Sequence, residues 1–383
     1  MGKVYYISYY DTLDSRQDRE YFLSATNFMN YIIDKINSTN RDVEIVSMSP
    51  TKGTKIARQK KQVLNSRTRL KCFFSLGRRN SFLSRLDMHL LRLQMFFYLL
   101  FHVKKDDIVL AYHSINYANV LLALRKLKKF NFILQVAEIY QDVGDCFTKK
   151  QKKQEYDVFR ACDGYIFSNN YLNEKLNVNN YPYVVIYGIY KAETKKEKFS
   201  DGKIHCVYAG TLDPRKGGAA TAAAAMFLDE KYHVHILGDG GKKDKENLLK
   251  VIKDVEKRSK CQVTYHGLLK GDEFINFLGK CHIGLSTQKA VAKFNATSFP
   301  SKVLTYLCNG LQVVSIRLDA IEKSTIGDFV CFYDEDTPQA IAERIKQVKS
   351  INNDIAQNMS ELDAQCEKEI DALLQLIESR RLL

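Results

Sequence analysis

The feature that most constrains this chain is its punctuation. Short apolar runs recur in two series, each run ended by a polar turn and followed by an amphipathic stretch. The first series comprises Val4–Tyr9, Val43–Met48, Asp107–Tyr112, Phe130–Val136, Gly164–Ser168 and Tyr183–Tyr187. The second comprises Ile204–Ala209, Val234–Leu237, Val263–His266, Ile283–Ser286 and Val313–Ile316. Runs this short and unbroken read as strands buried on both faces. Joined through helical segments, such strands pair in parallel with right-handed crossovers. Between the series, Gly188–Gly202 is polar, carries Lys191, Lys195, Lys196 and Lys198, and breaks the pattern. A chain of 383 residues is long for one domain. The expectation is an α/β protein of two doubly wound halves facing a cleft, with domains at 1–190 and 200–350. The tail, 351–383, reads as helix with a polar break at Asn352-Asn353, packing back on the first domain.

The charge is concentrated. Residues 51–105 hold fourteen Lys and Arg against one acid, Asp87, which is +13 of the net +14. One basic region implies an anionic partner or surface rather than a generally basic protein. Residues 51–80 lack a long apolar period and read as a mobile or surface-docked loop. Phe82–Val103 has helical spacing, with an apolar core from Leu93 to Phe101 that is far shorter than the ~20 residues a membrane span needs. It fits either a buried core helix or, with the basic loop, a face lying on an anionic membrane. The nine cysteines are scattered and form no C-x-x-C pair, so neither a disulfide framework nor a cysteine zinc site is expected. Met1-Gly-Lys-Val-Tyr-Tyr opens directly into a strand, so no secretory leader is expected. Tyr6 stands where a myristoylation motif wants Ser or Thr.

In open α/β sheets, ligands bind beyond the carboxyl ends of the strands. Two such ends in the first half run into His113-Ser114 and Glu138, which makes His113 and Glu138 candidates for catalysis. In the second half, Gly210-Thr-Leu-Asp-Pro-Arg-Lys-Gly-Gly218 leads into an alanine-rich helix, with Arg215 and Lys216 suited to phosphate oxygens. It is neither a Walker loop nor a G-x-G-x-x-G fingerprint. Gly238-Asp-Gly-Gly241 and Tyr265-His-Gly-Leu-Leu269 are further strand-end loops. Phe299-Pro-Ser-Lys-Val-Leu-Thr-Tyr-Leu-Cys-Asn-Gly310 reads as an extended lead-in at Phe299-Pro300, a helix capped by Ser301, and a glycine stop. Lys302 in its first turn suits an anion. Asp334-Glu-Asp336 reads as a turn before a helix starting at Thr337-Pro338.

Taken in this order, the loops resemble the donor-binding lobe of GT-B glycosyltransferases, most closely the retaining family four that includes sucrose and mannosyl transferases. The family's G-R-L-x-x-x-K-G loop matches Gly210–Gly217 except that Thr211 replaces the arginine. The resemblance implies diphosphate binding by Lys216, with Arg215 substituting for the missing arginine. It matches G-D-G to Gly238–Gly240, the base-contacting loop to His266, Gly267 and Leu268, and F-P-S-K-x-x-E-Y-L-x-x-G to Phe299–Gly310, with Pro300, Ser301 and Lys302 at the donor. The family's E-x7-E pair falls on Thr297 and Thr305, and Thr305 would hold the ribose only weakly. This likeness spans about residues 203–348; the first half adds the Tyr112-His-Ser114 and Glu138-Ile-Tyr140 strand ends, similar to bacterial surface-polysaccharide glycosyltransferases.

The resemblance implies transfer of a hexosyl group from a nucleotide diphosphate sugar, a UDP-sugar favoured, to a glycan or lipid-linked oligosaccharide. It implies no metal, no other cofactor and retention of configuration, on the cytoplasmic face of the cell membrane in capsule or O-antigen type biosynthesis. Lys216, Lys302 and the helix after Pro300 would stabilise the leaving diphosphate. Rival readings are an epimerase or phosphorylase on the same fold, an inactive sugar-nucleotide-binding homologue, and a basic nucleic-acid-binding protein. The last is disfavoured because no helix-turn-helix, zinc finger or RRM pattern is present.

Overall fold

A computed structural model describes residues 2–12, 18–143, 147–291, 299–348 and 355–380. The chain divides into two units, Met1–Ile186 with Gln365–Leu383, and Tyr187–Ala364.

Among the described residues the first unit is built on eight strands: β1 Val4–Ser8, β2 Val43–Ser47, β3 Lys60–Val63, β4 Thr68–Cys72, β5 Ile108–Tyr112, β6 Asn131–Val136, β7 Gly164–Phe167 and β8 Tyr183–Val185. Their order is β3-β4-β2-β1-β5-β6-β7-β8, parallel except for β3. Every residue of β1, β6 and β7 is buried, which is why these strands are apolar without alternation. One face carries a single core in which Tyr5, Ile7, Val109, Phe132 and Leu134 meet Leu91, Met95 and Leu99 of the helix Ser81–His102 and Tyr117, Leu121 and Leu124 of the helix Ile115–Leu127.

Two expectations fail here. Residues 51–80 are not a loop: β4 pairs with β2 from Val43↔Thr68 to Ser47↔Cys72, and β3 returns antiparallel beside it. The strands were hidden because Thr68, Leu70 and Cys72 alternate with Arg69 and Lys71, a period of two under a run of charge. Arg19, fully buried, fastens the segment by donating to the carbonyls of Ser49, Arg58 and Phe73 at 2.7–2.8 Å. Nor is the helix Ser81–His102 buried all round. Asp87, Leu91, Met95 and Leu99 face the core, while Phe82, Leu86, Leu93, Phe97 and Phe101 form an exposed stripe, with Phe101 75% exposed.

The last stretch of chain belongs to this unit. Arg41, whose side chain is wholly buried, donates to Asp371 at 2.8 Å and to Glu378 at 3.2 Å on the helix Ile355–Ser379.

Among its described residues the second unit holds six parallel strands: β9 Ile204–Ala209, β10 Tyr232–Leu237, β11 Gln262–Gly267, β12 Ile283–Ser286, β13 Gln312–Ile316 and β14 Val330–Tyr333, in the order β11-β10-β9-β12-β13-β14. The polar stretch after Tyr187 packs on this unit. Glu193 N–H donates to the Cys308 carbonyl, and Lys198 Nζ donates to the carbonyls of Cys281 and Gly310. Thr337 caps the helix Pro338–Gln347, its hydroxyl accepting from Ala340 N–H as the sequence predicts.

Candidate functional site

In the second unit the glycine loops are stitched together at the carboxyl ends of neighbouring strands. Gly210 N–H donates to Leu237 O at 3.0 Å, Gly238 N–H to Gly267 O at 2.7 Å, and Leu212 N–H to Asp239 O at 2.9 Å. Gly238 has φ +137°, and a Cβ there would lie 1.7 Å from the Gly210 carbonyl oxygen. No other residue permits so close an approach of two backbones. Tyr265 adds a hydrogen bond from its hydroxyl to Gly238 O.

The helix Lys302–Cys308 is fixed to this rim by Tyr306, fully buried, which accepts from Ala209 N–H at 2.8 Å and donates to Leu285 O at 3.3 Å. The ring lies where β12 has Gly284, and a Cβ at that glycine would fall 2.2 Å from Tyr306 Cγ. Anchoring Tyr306 places Lys302 one turn earlier, over Gly210. Its Nζ sits 4.0 Å from the centroid of the Tyr208 ring and 3.1 Å from where a Cβ on Gly210 would be. That Nζ is shut off from water and has no hydrogen-bond partner among the described residues. Burial, with the neighbouring Lys216 charge adding to it, lowers the ammonium from 10.5 to about 7. A buried, unpartnered ammonium beside a second lysine suits a multiply charged oxyanion.

The other predicted donor residues fall around this point with different duties. Lys216 ends the short turn Pro214–Lys216 before Gly217, which has φ +86°. Arg215 is exposed, and Asp213, two residues back, holds its guanidinium in an ion pair at 2.6 Å. Thr211 is exposed, and its carbonyl accepts from the Tyr208 hydroxyl. His266 is half-buried one residue before the end of its strand, with Nε2 3.0 Å from His235 Nδ1, followed by Gly267 at φ +70° and the exposed Leu268. Ser301 does not cap the helix. Its backbone is already helical (φ −50°, ψ −25°), so its hydroxyl is carried past the orphan amides, and Pro300 supplies the carbonyl for Val303 N–H. The Thr305 hydroxyl donates to Ser301 O at 3.1 Å. Thr297 lies outside the described residues.

In the first unit, β5 and β6 deliver His113 and Glu138 to one sheet edge, but His113 is only 1% exposed. Its ring stacks on Tyr140 and leans on Phe159, each 4.7 Å away between centroids. Burial drives it down to about 3, opposed by a hydrogen bond with the Glu138 backbone, so the imidazole is neutral at ordinary pH. Sequence reasoning missed its companion. Glu155, fully buried, lies 3.4 Å from His113 Nε2 and accepts from Tyr140 N–H and from the Gln141 side chain. The available signal was the period of Glu155, Val158 and Phe159, which puts an acid on the buried face of a lysine-rich helix.

A pocket of about 400 Å³ on the first unit is lined by Arg78, Ser84, Arg85, Met88, His89 and Arg92, next to the exposed stripe of the helix Ser81–His102.

No protein-family model matches the chain. No curated protein matches it either. Solved structures do. The trehalose-6-phosphate protein from E. coli bound with UDP-2-fluoro glucose superposes with a TM-score of 0.70 at 9% identity, covering 98% of this chain and 99% of that one. Sucrose-phosphate synthase from Thermosynechococcus elongatus gives 0.65 at 12% identity over 100% and 97%. HepE from Anabaena in complex with UDP gives 0.62 at 12% identity over 100% of both chains. Two Rossmann-like parallel-sheet domains, matched along the whole chain by these GT-B glycosyltransferases, give this protein the GT-B fold.

Proposed function

We propose that the protein is a glycosyltransferase that takes a sugar from a nucleotide diphosphate sugar. The observation that carries this reading is Lys302: a buried ammonium without a partner among the described residues, set over the joined loops at Gly210, Gly238 and Gly267. The diphosphate occupies this rim, neutralised by Lys302 and Lys216, so charge developing on the leaving group is met by groups already in place. His266 to Leu268 meet the base. The two lysines do the work that a cation does elsewhere, and the donor chemistry is metal-independent. A UDP-sugar is the favoured donor, supported by the UDP and UDP-sugar named with the structural neighbours. A hexosyl group and retention are the outcomes that accompany family-four likeness.

The acceptor is a glycan or lipid-linked oligosaccharide held by the first unit, in the manner of surface-polysaccharide synthesis. Glu138 meets it, while His113, buried beneath Tyr140, supports that strand end as a neutral group rather than a base. The helix Ser81–His102 lays Phe82, Leu86, Leu93, Phe97 and Phe101 on an anionic membrane, with Arg85 and Arg92 beside them. Each such cation contributes about 1 kcal/mol near the surface.

The test is a thermal-shift screen against UDP, GDP, ADP, CMP, dTDP and UDP-sugars. A nucleotide at 100 times its dissociation constant adds about 2.7 kcal/mol. One nucleotide that stabilises the wild type, but not Lys216→Ala or Lys302→Met, is the expected result. Stabilisation by none, or equal stabilisation of all three proteins, overturns the assignment.

A further inference from the structure

Five of the eight histidines of the chain, His205, His233, His235, His266 and His282, gather on the second unit. His233 and His235 are two apart on β10 and so share one face of the sheet. His205 stands directly opposite His233 on β9. We propose that His205, His233 and His235 form a three-histidine site for a divalent transition metal, zinc foremost.

The arrangement of hydrogen bonds carries this. Each ring has one nitrogen engaged by an outer partner. His205 Nε2 lies 2.8 Å from Asp201 Oδ1, His233 Nε2 lies 2.8 Å from Thr264 Oγ1, and His235 Nδ1 lies 3.0 Å from His266 Nε2. The nitrogens left over are Nδ1 of His205, Nδ1 of His233 and Nε2 of His235. One nitrogen from each of the three rings lies within 4.8 Å of the other two. Outer partners that fix ring orientation, with one nitrogen of each ring held close to the other two, are the usual build of a histidine metal site. The donor set is all imidazole, which selects zinc and its neighbours over magnesium or calcium. Three protein ligands leave a fourth position for water or a small anion. His205 and His235 are 3% exposed while His233 is half-buried, so the ion reaches the site past His233.

Without metal the rings satisfy one another, His205 Nδ1 lying 2.8 Å from His235 Nε2. Asp201 accepts from His205 Nε2, so His205 Nδ1 accepts from His235 Nε2, and His235 Nδ1 accepts from His266 Nε2. Metal on the inner nitrogens requires His235 to carry its proton on Nδ1 instead and donate to His266 Nε2. His266 then keeps its proton on Nδ1. Both rings change tautomer and no proton leaves the chain.

The experiment uses the full chain with any affinity tag removed, stripped with chelator and dialysed against zinc. The wild type is expected to retain one zinc per chain, with X-ray absorption showing nitrogen and oxygen ligands at about 2.0–2.1 Å and no sulfur. His233→Ala and His235→Ala lose it, while His89→Ala, at an exposed histidine on the other unit, does not. Asp201→Asn weakens affinity roughly 10- to 100-fold through the ring it orients. Circular dichroism reports folding of each variant. Should the buried His235→Ala fail to fold, the half-buried His233→Ala decides. No stoichiometric zinc on the wild type, or zinc retained by a folded His233→Ala, overturns the proposal.

Discussion

Binding of a diphosphate at Lys302 must move a proton, and the amount follows from the burial of its ammonium. Lysine ordinarily titrates at 10.5, and burial beside Lys216 brings Lys302 to about 7. The free protein therefore carries this side chain mostly neutral at about pH 8.5. A diphosphate laid against Nζ favours the charged form and returns the group towards its ordinary value. Its own phosphate ionisation, near pH 6, is already complete in that range. Each nucleotide bound at about pH 8.5 then takes up close to one proton. Affinity falls up to tenfold per pH unit above about pH 7, so raising the pH by two units costs about 2.7 kcal/mol, a hundredfold in Kd. Titration calorimetry in buffers of differing ionisation enthalpy reads the uptake directly. Lys302→Met, which keeps the stem and removes the charge, should bind weakly with a flat profile over the same range. Zero uptake by the wild type at about pH 8.5, or an unchanged slope in Lys302→Met, would refute the reasoning.

Gly284→Ala drives a methyl into the ring of Tyr306, which is fully buried and held through its hydroxyl by Ala209 and Leu285. Overpacking of this kind costs about 1–3 kcal/mol, and an unchanged urea midpoint would contradict it. His113 is neutral when folded and titrates near 6.5 when unfolded, so the unfolded chain binds more protons below that value. Its contribution is present above about pH 6.5 and is lost as the pH falls toward about 3; His113→Gln should flatten the urea midpoint over that window, and parallel curves would count against it. Phe82→Asp with Phe101→Asp should abolish sedimentation with anionic vesicles while sparing nucleotide binding. Salt should weaken the wild-type interaction, and binding of equal strength to zwitterionic vesicles would exclude the charge argument.

What was legible in the sequence follows from the physics of parallel sheets. Strands buried on both faces are mostly apolar, so β1 and β7 announce themselves. β3 and β4 do not, because Lys60, Lys61, Arg69 and Lys71 mask a period of two. The glycine loops were found by residue type, since only glycine tolerates the contact between Gly238 and the Gly210 carbonyl. The supports of the site were not found. Tyr306 reads as one more apolar helix residue until its hydroxyl meets Ala209, 97 positions earlier. Glu155 similarly declares itself only beside His113. Ser301 kept its place but not its cap, because a one-residue shift in where a helix begins decides which amides lack partners.

Arg41 has a consequence for how the protein is made. Its carboxylate partners, Asp371 and Glu378, lie 330 and 337 residues further along the chain. At ribosomal speeds of about 5–20 residues per second, the guanidinium waits on the order of 20 to 60 seconds for them. Every strand of the first sheet has left the ribosome long before that. The unit begun first is therefore completed last, after the whole second sheet has been synthesised. A nascent chain stopped short of Gln365 holds the strands of the first sheet with both acid partners of Arg41 still missing.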